Sequence, residues 1–181
     1  MADGGQHAAD SRLALRAIGA GDLDFLDRLC SDPDALGPFE WPGFVDVRAR
    51  RRRWEQDGYA GPDSTVLAVV LADGTVAGIA SWNTRNRSQP VRGACYEIGL
   101  ALLPEHRGHG LGTAAQRLLV DYLFRFTIVH RLEAITESEN IAEQKVLERI
   151  GFEREGVLRE VAFRDGAWRD AVIYALLRDG P

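Results

Sequence analysis

The sequence predicts an α/β (α+β) domain with a central mixed sheet, and three observations carry that expectation. Two apolar, β-branched runs at 66–71 and 76–82 flank Ala72-Asp73-Gly74-Thr75, and Asp-Gly between such runs is a strong hairpin signal. Arg164-Asp165-Gly166 makes a second hairpin turn between strands at 152–163 and 167–177. Between the hairpins, a strand, an amphipathic helix and another strand occupy 94–136, and that order requires a parallel crossover. The sheet is therefore mixed. At 181 residues the chain most simply forms one domain, placed at 11–178.

Taken in order, residues 1–10 have too little apolar content to order themselves and read as a flexible leader. Leu13, Leu15 and Ala17 alternate as in a strand, and Leu23, Leu26, Leu29 and Cys30 form the stripe of a first helix. Pro and Gly punctuate 31–44, a loop whose Phe39, Trp41 and Phe44 either plug the core or wall an acceptor pocket. A helix at 46–56 carries Arg48, Arg50, Arg51, Arg52 and Arg53, which spread around its circumference as a solvated face, with a polyanion contact as the alternative. After the first hairpin, a polar loop at 83–93 leads into the strand at 94–103. Ala114, Ala115, Leu118, Leu119, Tyr122, Leu123 and Phe126 give the next helix a continuous stripe. A short strand at 131–136 follows, then a helix at 140–150 with Asn140 and Glu143 spaced as a capping box and Gly151 as its stop.

Composition excludes several function classes. A formal net charge of −5 argues against duplex nucleic acid, which is bound through many Lys and Arg contacts to phosphate. No apolar run reaches the length of a membrane span, and the first residues lack the pattern of a signal peptide, so a cytoplasmic location without a membrane partner is expected. Cys30 and Cys95 are too few and too far apart for a disulfide framework, and four His without partners at ligand spacing predict no metal site. A homodimer is compatible with the sequence.

The segment richest in chemistry is Arg107-Gly108-His109-Gly110-Leu111-Gly112-Thr113, directly after a strand and directly before a helix. Its glycines permit close backbone approach, and the unpaired N–H groups of a first helical turn attract anions, so a diphosphate is the natural guest. Arg107 and Thr113 add a cation and a hydroxyl. No Gly-Lys-Ser/Thr follows, which excludes a Walker loop, and the alternating glycines do not fit Gly-x-Gly-x-x-Gly of a dinucleotide site. The bland alternative is a plain strand-to-helix turn.

On these residues the chain resembles the GNAT superfamily of acyl-CoA-dependent N-acetyltransferases. Arg107, Gly110 and Gly112 match the family's pyrophosphate signature, and Asn140-Ile141-Ala142 with 146–152 looks like its next block. The branch it is most similar to contains ribosomal-protein N-terminal acetyltransferases and small-molecule amine acetyltransferases. The resemblance implies a mostly antiparallel sheet splayed between the fourth and fifth strands, with helices on both faces. It implies acetyl-CoA as co-substrate, held by Leu100, Ala101, Leu102, Arg107, Gly108, His109, Gly110, Leu111, Gly112, Thr113 and Asn140. For Asn140, an ordinary helix N-cap is the competing reading.

The implied reaction is direct attack of a primary amine, a peptide N-terminus or a small molecule, on the thioester in a ternary complex. Such an amine must lose a proton first. Glu97 is the first candidate base, because Tyr96, Ile98, Leu100 and Leu102 alternate on one face of their strand and leave Glu97 on the other; Glu160 is the second. A main-chain N–H near Leu102 is the implied donor to the oxyanion. The family's usual Tyr and Ser acids are replaced by Leu147 and Glu143, leaving Glu143, Tyr174 or water to protonate the thiolate. Phe39, Glu40, Trp41, Phe44 and Trp82 are the expected acceptor contacts. A non-catalytic acyl-CoA-binding or sensing module is the alternative function, and a polyanion-binding protein a third.

Overall fold

The computed structural model describes residues 12–41, 43–86 and 95–178. The leader at 1–10 and most of the polar loop before the fourth strand lie outside the described residues. Seven strands form one sheet in the order β1-β2-β3-β4-β5-β7-β6: β1 is Leu13–Ala17, β2 Ser64–Leu71, β3 Val76–Thr84, β4 Cys95–Leu102, β5 Arg131–Glu137, β6 Glu153–Arg164 and β7 Ala167–Leu177. All neighbours are antiparallel except β4 and β5. Both Asp-Gly turns sit where the sequence puts them, closing β2–β3 and β6–β7. No helix among the described residues is long and apolar enough to cross a membrane.

Helices cover both faces. On one side α4 (Leu111–Phe126) and α5 (Ile141–Arg149) bury Ala115, Leu119, Leu123 and Leu147 against Val69, Ile98, Leu132 and Val172. On the other, α1 (Leu23–Ser31), the single turn α2 (Pro33–Leu36) and α3 (Val47–Asp57) close over Ala68 and Leu103 with Ile18, Leu26, Leu29 and Tyr59. The arginines of α3 are largely engaged within the molecule. Arg51 pairs with Asp24 and Asp27, Arg52 with Asp46, and Arg53 donates to Ser64 while lying over the Tyr59 ring. That pairing ties three of the five arginines to groups of the molecule itself.

The parallel pair positions the site. β4 and β5 are in register only at Cys95↔Arg131, Tyr96↔Leu132 and Glu97↔Glu133, and beyond Glu97 they part company. Because β4 remains paired with β3 as far as Leu102, every second residue from Ile98 onward turns a main-chain N–H and C=O toward the gap. Gly78 keeps β3 close to β4 here. A Cβ at that position would lie 2.1 Å from the Ala101 carbonyl oxygen and 2.9 Å from the Leu102 Cα. Gly78→Ala is therefore expected to destabilise the fold by about 3 kcal/mol, the upper part of the overpacking range, with a melting point lower by roughly 10 °C. Thermal and urea unfolding check this; an unchanged midpoint would refute the close approach.

Candidate active site

The gap between β4 and β5 opens into a cleft of about 490 Å³. Its walls come from four places: the 36–40 segment after α2, the free end of β4 (Ile98 to Leu102), the glycine loop with the start of α4, and β5 with one face of α5. Gly108 and Gly110 hold φ of 79° and 75°, the left-handed region that glycine enters without a Cβ clash. Gly110 is the N-cap of α4 and no side chain caps it, so the first-turn N–H groups point outward without helical partners. The strand edge, the uncapped helix and the glycine loop thus offer main-chain donors along one continuous slot. That donor set fits a ligand with a diphosphate at one end and an amide-bearing arm beyond it.

Of the expected cofactor residues, Leu100, Ala101, Leu102, Arg107, Gly108, Gly110, Gly112, Thr113 and Asn140 line this cleft. His109 and Leu111 are not among its lining: His109 is exposed on the loop, and the Leu111 side chain anchors α4 in the core. Arg107 does more than edge the cleft. Its guanidinium donates to the carbonyls of Leu102 and Ala35, both at 2.8 Å, tying the end of β4 to α2. Asn140 caps α5 by accepting from the Glu143 N–H at 3.3 Å and donates to Thr136 Oγ1 at 3.0 Å.

The expected acid and base residues are separated by the fold. Glu143 lines the cleft. Its carboxylate does not turn back to the Asn140 N–H as a capping box would; it accepts from the Gln116 amide at 2.6 Å, while the Asn140 N–H donates to the Glu137 carbonyl. Glu97 is not among the lining residues and is held by Arg85 through two hydrogen bonds of 2.8 and 2.9 Å. Glu160 lies at a bulge of β6 with φ 52°, its N–H bound to Asp170. Tyr174 is buried beneath α5 and donates to Glu148 at 3.0 Å.

Of the expected acceptor contacts, Phe39 and Glu40 line the cleft. Phe39 lies under the guanidinium of Arg164, 5.0 Å away, and Arg164 also pairs with Glu137 and Glu139. Trp41 and Phe44 contact each other edge to face outside the lining, and Trp82 packs with Tyr96 and Tyr122 on the α4 side of the sheet. Glu40 is exposed by surface area and also lines the cleft. Desolvation there, reinforced by the like charges of Glu143 and Glu137, pushes its carboxyl up to about 7. Burial also raises the Glu143 carboxyl, and the Gln116 amide opposes that shift.

Two contributors carry no motif of their own: Gln116 is buried in α4 and Glu137 ends β5. Val146 and Arg149, from the 146–152 block, continue the cleft-facing side of α5 from Ala142 and Glu143. A signal for Gln116 does exist: it falls on the buried stripe of α4, four residues from both Gly112 and Val120, where an apolar residue is the default.

A mixed sheet parted beside a glycine loop that opens a helix, with both helical layers contributing to one slot, defines an acyl-CoA-dependent transferase. Residues 12–153 match the family described as Acetyltransferase (GNAT) domain, and the chain belongs to that family, with acetyl-CoA as co-substrate. It is 28% identical over 144 residues to an uncharacterized N-acetyltransferase, p20, of Bacillus licheniformis, covering 78% of this chain and 79% of that one. It is 42% identical over 66 residues to the probable N-acetyltransferase YjcK of Bacillus subtilis (strain 168), 35% of this chain and 36% of that protein. Among solved structures, the spermidine N-acetyltransferase from Vibrio cholerae in complex with CoA and spermine shares the fold, with a TM-score of 0.82 at 22% identity over 93% of this chain and 96% of that one.

Proposed function

We propose that the chain moves the acetyl group of acetyl-CoA to a primary amine by direct attack in a ternary complex, with Glu40 taking the ammonium proton and Glu143 protonating the departing thiolate. The observation that carries this reading is the meeting of two carboxyls, Glu40 and Glu143, in the slot formed by the open strand edge and the glycine loop. The first-turn N–H groups of α4 hold the diphosphate, main-chain groups of Leu100 to Leu102 pair with the pantetheine amides, and Asn140 faces them from α5.

The proton inventory closes. Glu40, with its carboxyl near 7, is ionised at and above neutral pH yet basic enough to accept a proton from an ammonium in the cleft. As the N–C bond forms, the Glu143 carboxylate takes the second proton that the nitrogen sheds on becoming an amide. As the C–S bond breaks, Glu143 gives that proton to sulfur. One proton leaves through Glu40 to solvent, as the net reaction of an ammonium requires. The two carboxyls of the cleft, Glu40 and Glu143, favour a cationic acceptor beside them, and the likeness to a spermidine acetyltransferase points the same way. Polyamines therefore join N-terminal peptides, aminoglycosides and amino acids as acceptors to test.

A second reading, an acyl-CoA-binding module without turnover, is favoured by the apolar, buried Leu147 where the family places its Tyr acid. Thiol release from acetyl-CoA across a panel of those amines separates the two. Turnover of at least one amine is expected, and none of an alcohol of matched shape. Saturable binding of acetyl-CoA with no acceptor consumed would establish the second reading and overturn the first.

A further inference from the structure

Gln116 is 2% exposed, between Ala115 and Leu119 in the most deeply buried stretch of α4. An amide at such depth is costly unless its polar atoms are paired, and leucine would pack in its place at no such cost. Yet only half of this amide is satisfied. Its Nε2 donates to Glu143 Oε1 at 2.6 Å, whereas its Oε1 is buried with no hydrogen-bond partner. Among the described residues, the one polar contact it makes is the one to the cleft carboxyl.

We propose that Gln116 is a positioning residue that fixes the orientation of the Glu143 carboxyl and selects which of its oxygens carries the transferable proton. This rests on Glu143 being the acid of the acetyl transfer. Donation from Nε2 occupies Oε1, so a protonated Glu143 carries its hydrogen on Oε2, the oxygen left to the cleft. When that proton passes to sulfur, the O–H bond breaks, the S–H bond forms, and the carboxylate left behind keeps the same amide donor. The hydrogen bond then becomes charge-assisted and stronger, which eases the transfer. The charged groups sharing the cleft are Glu40 on the 36–40 segment, Arg107 beside the glycine loop and Arg149 at the far end of α5, while Glu137 on β5 acts on Glu40. None of these is a hydrogen-bond partner that could orient Glu143 in the place of Gln116.

The test uses Gln116→Leu and Gln116→Met, of similar volume and without the donor, so that a folding failure of one leaves the other. The Glu143 carboxylic acid stretch is followed by isotope-edited infrared titration of the free protein, its band identified by loss in Glu143→Gln. Removing the donor is expected to move that titration to higher pH and to lower kcat roughly 10- to 100-fold with KM for acetyl-CoA unchanged. Wild-type turnover with an unmoved infrared titration overturns the role of Gln116 alone. Absence of turnover with every acceptor overturns it together with the acetyl-transfer reading.

Discussion

Glu40→Gln is expected to lower kcat by about 10²- to 10⁴-fold and to erase the acid limb of the kcat/KM profile near pH 7. In the wild type that limb arises because a protonated Glu40 cannot accept the ammonium proton, so activity falls as pH drops below about 7. The stability of the same variant changes in the opposite sense. A carboxyl whose folded value lies above its unfolded one makes the folded state the greater proton binder between about pH 4.5 and 7, so its contribution to stability declines as pH rises through that window. Glutamine cannot ionise, so above pH 7 the variant is expected to melt at a higher temperature than the wild type while being far slower. Loss of activity with gain of stability separates removal of a base from damage to the fold. Glu97→Gln is the companion measurement: with its carboxyl held by Arg85, its replacement is expected to leave the acid limb in place. A limb that disappears in Glu97→Gln and survives in Glu40→Gln would transfer the role to Glu97.

The second large effect is on cofactor affinity. Gly110→Val is expected to weaken CoA binding by at least about 100-fold, measured calorimetrically with CoA itself. Nothing lies within 4 Å of a Cβ built at Gly110, so protein packing is not the obstacle. The obstacle is the backbone. At φ 75° a β-branched residue is strained by roughly 1–3 kcal/mol, and relieving that strain swings the first-turn N–H groups of α4 away from the diphosphate. The rest of α4 stays anchored through Leu111, Ala115, Leu119 and Leu123, so the variant should fold. Unchanged affinity would mean that the diphosphate lies elsewhere.

The part of the site that is local in sequence is the part that could be read from it. The glycine loop, the strand before it and the helix after it fall within 32 consecutive residues, 95–126, and hairpin turns and helical stripes follow from short-range periodicity in the same way. The carboxylate pair is different. Glu40, Gln116, Glu137 and Glu143 come from a loop, two helices and a strand, and only the way β5 pairs with β7 and leaves β4 brings them near one another. Alternation along β4 did place Glu97 on the face away from Ile98 and Leu100, but it could not say that Arg85, twelve residues earlier, would hold that carboxylate. The order β5-β7-β6, with the last strand inserted ahead of the one before it, likewise has no local signature.

The parting of β4 and β5 puts a strand edge in the interior of a sheet, where most proteins have none. An exposed edge of unpaired main-chain groups is a template for another polypeptide, and proteins commonly guard such edges with charges, bulges or covering elements. Here the guard is geometric. The 36–40 segment, the glycine loop and α5 wall the edge into a slot rather than leaving it open along its length. Loosening that wall, for instance by cutting the Arg107 tie between Leu102 and Ala35, would convert a selective binding groove into a site of self-association.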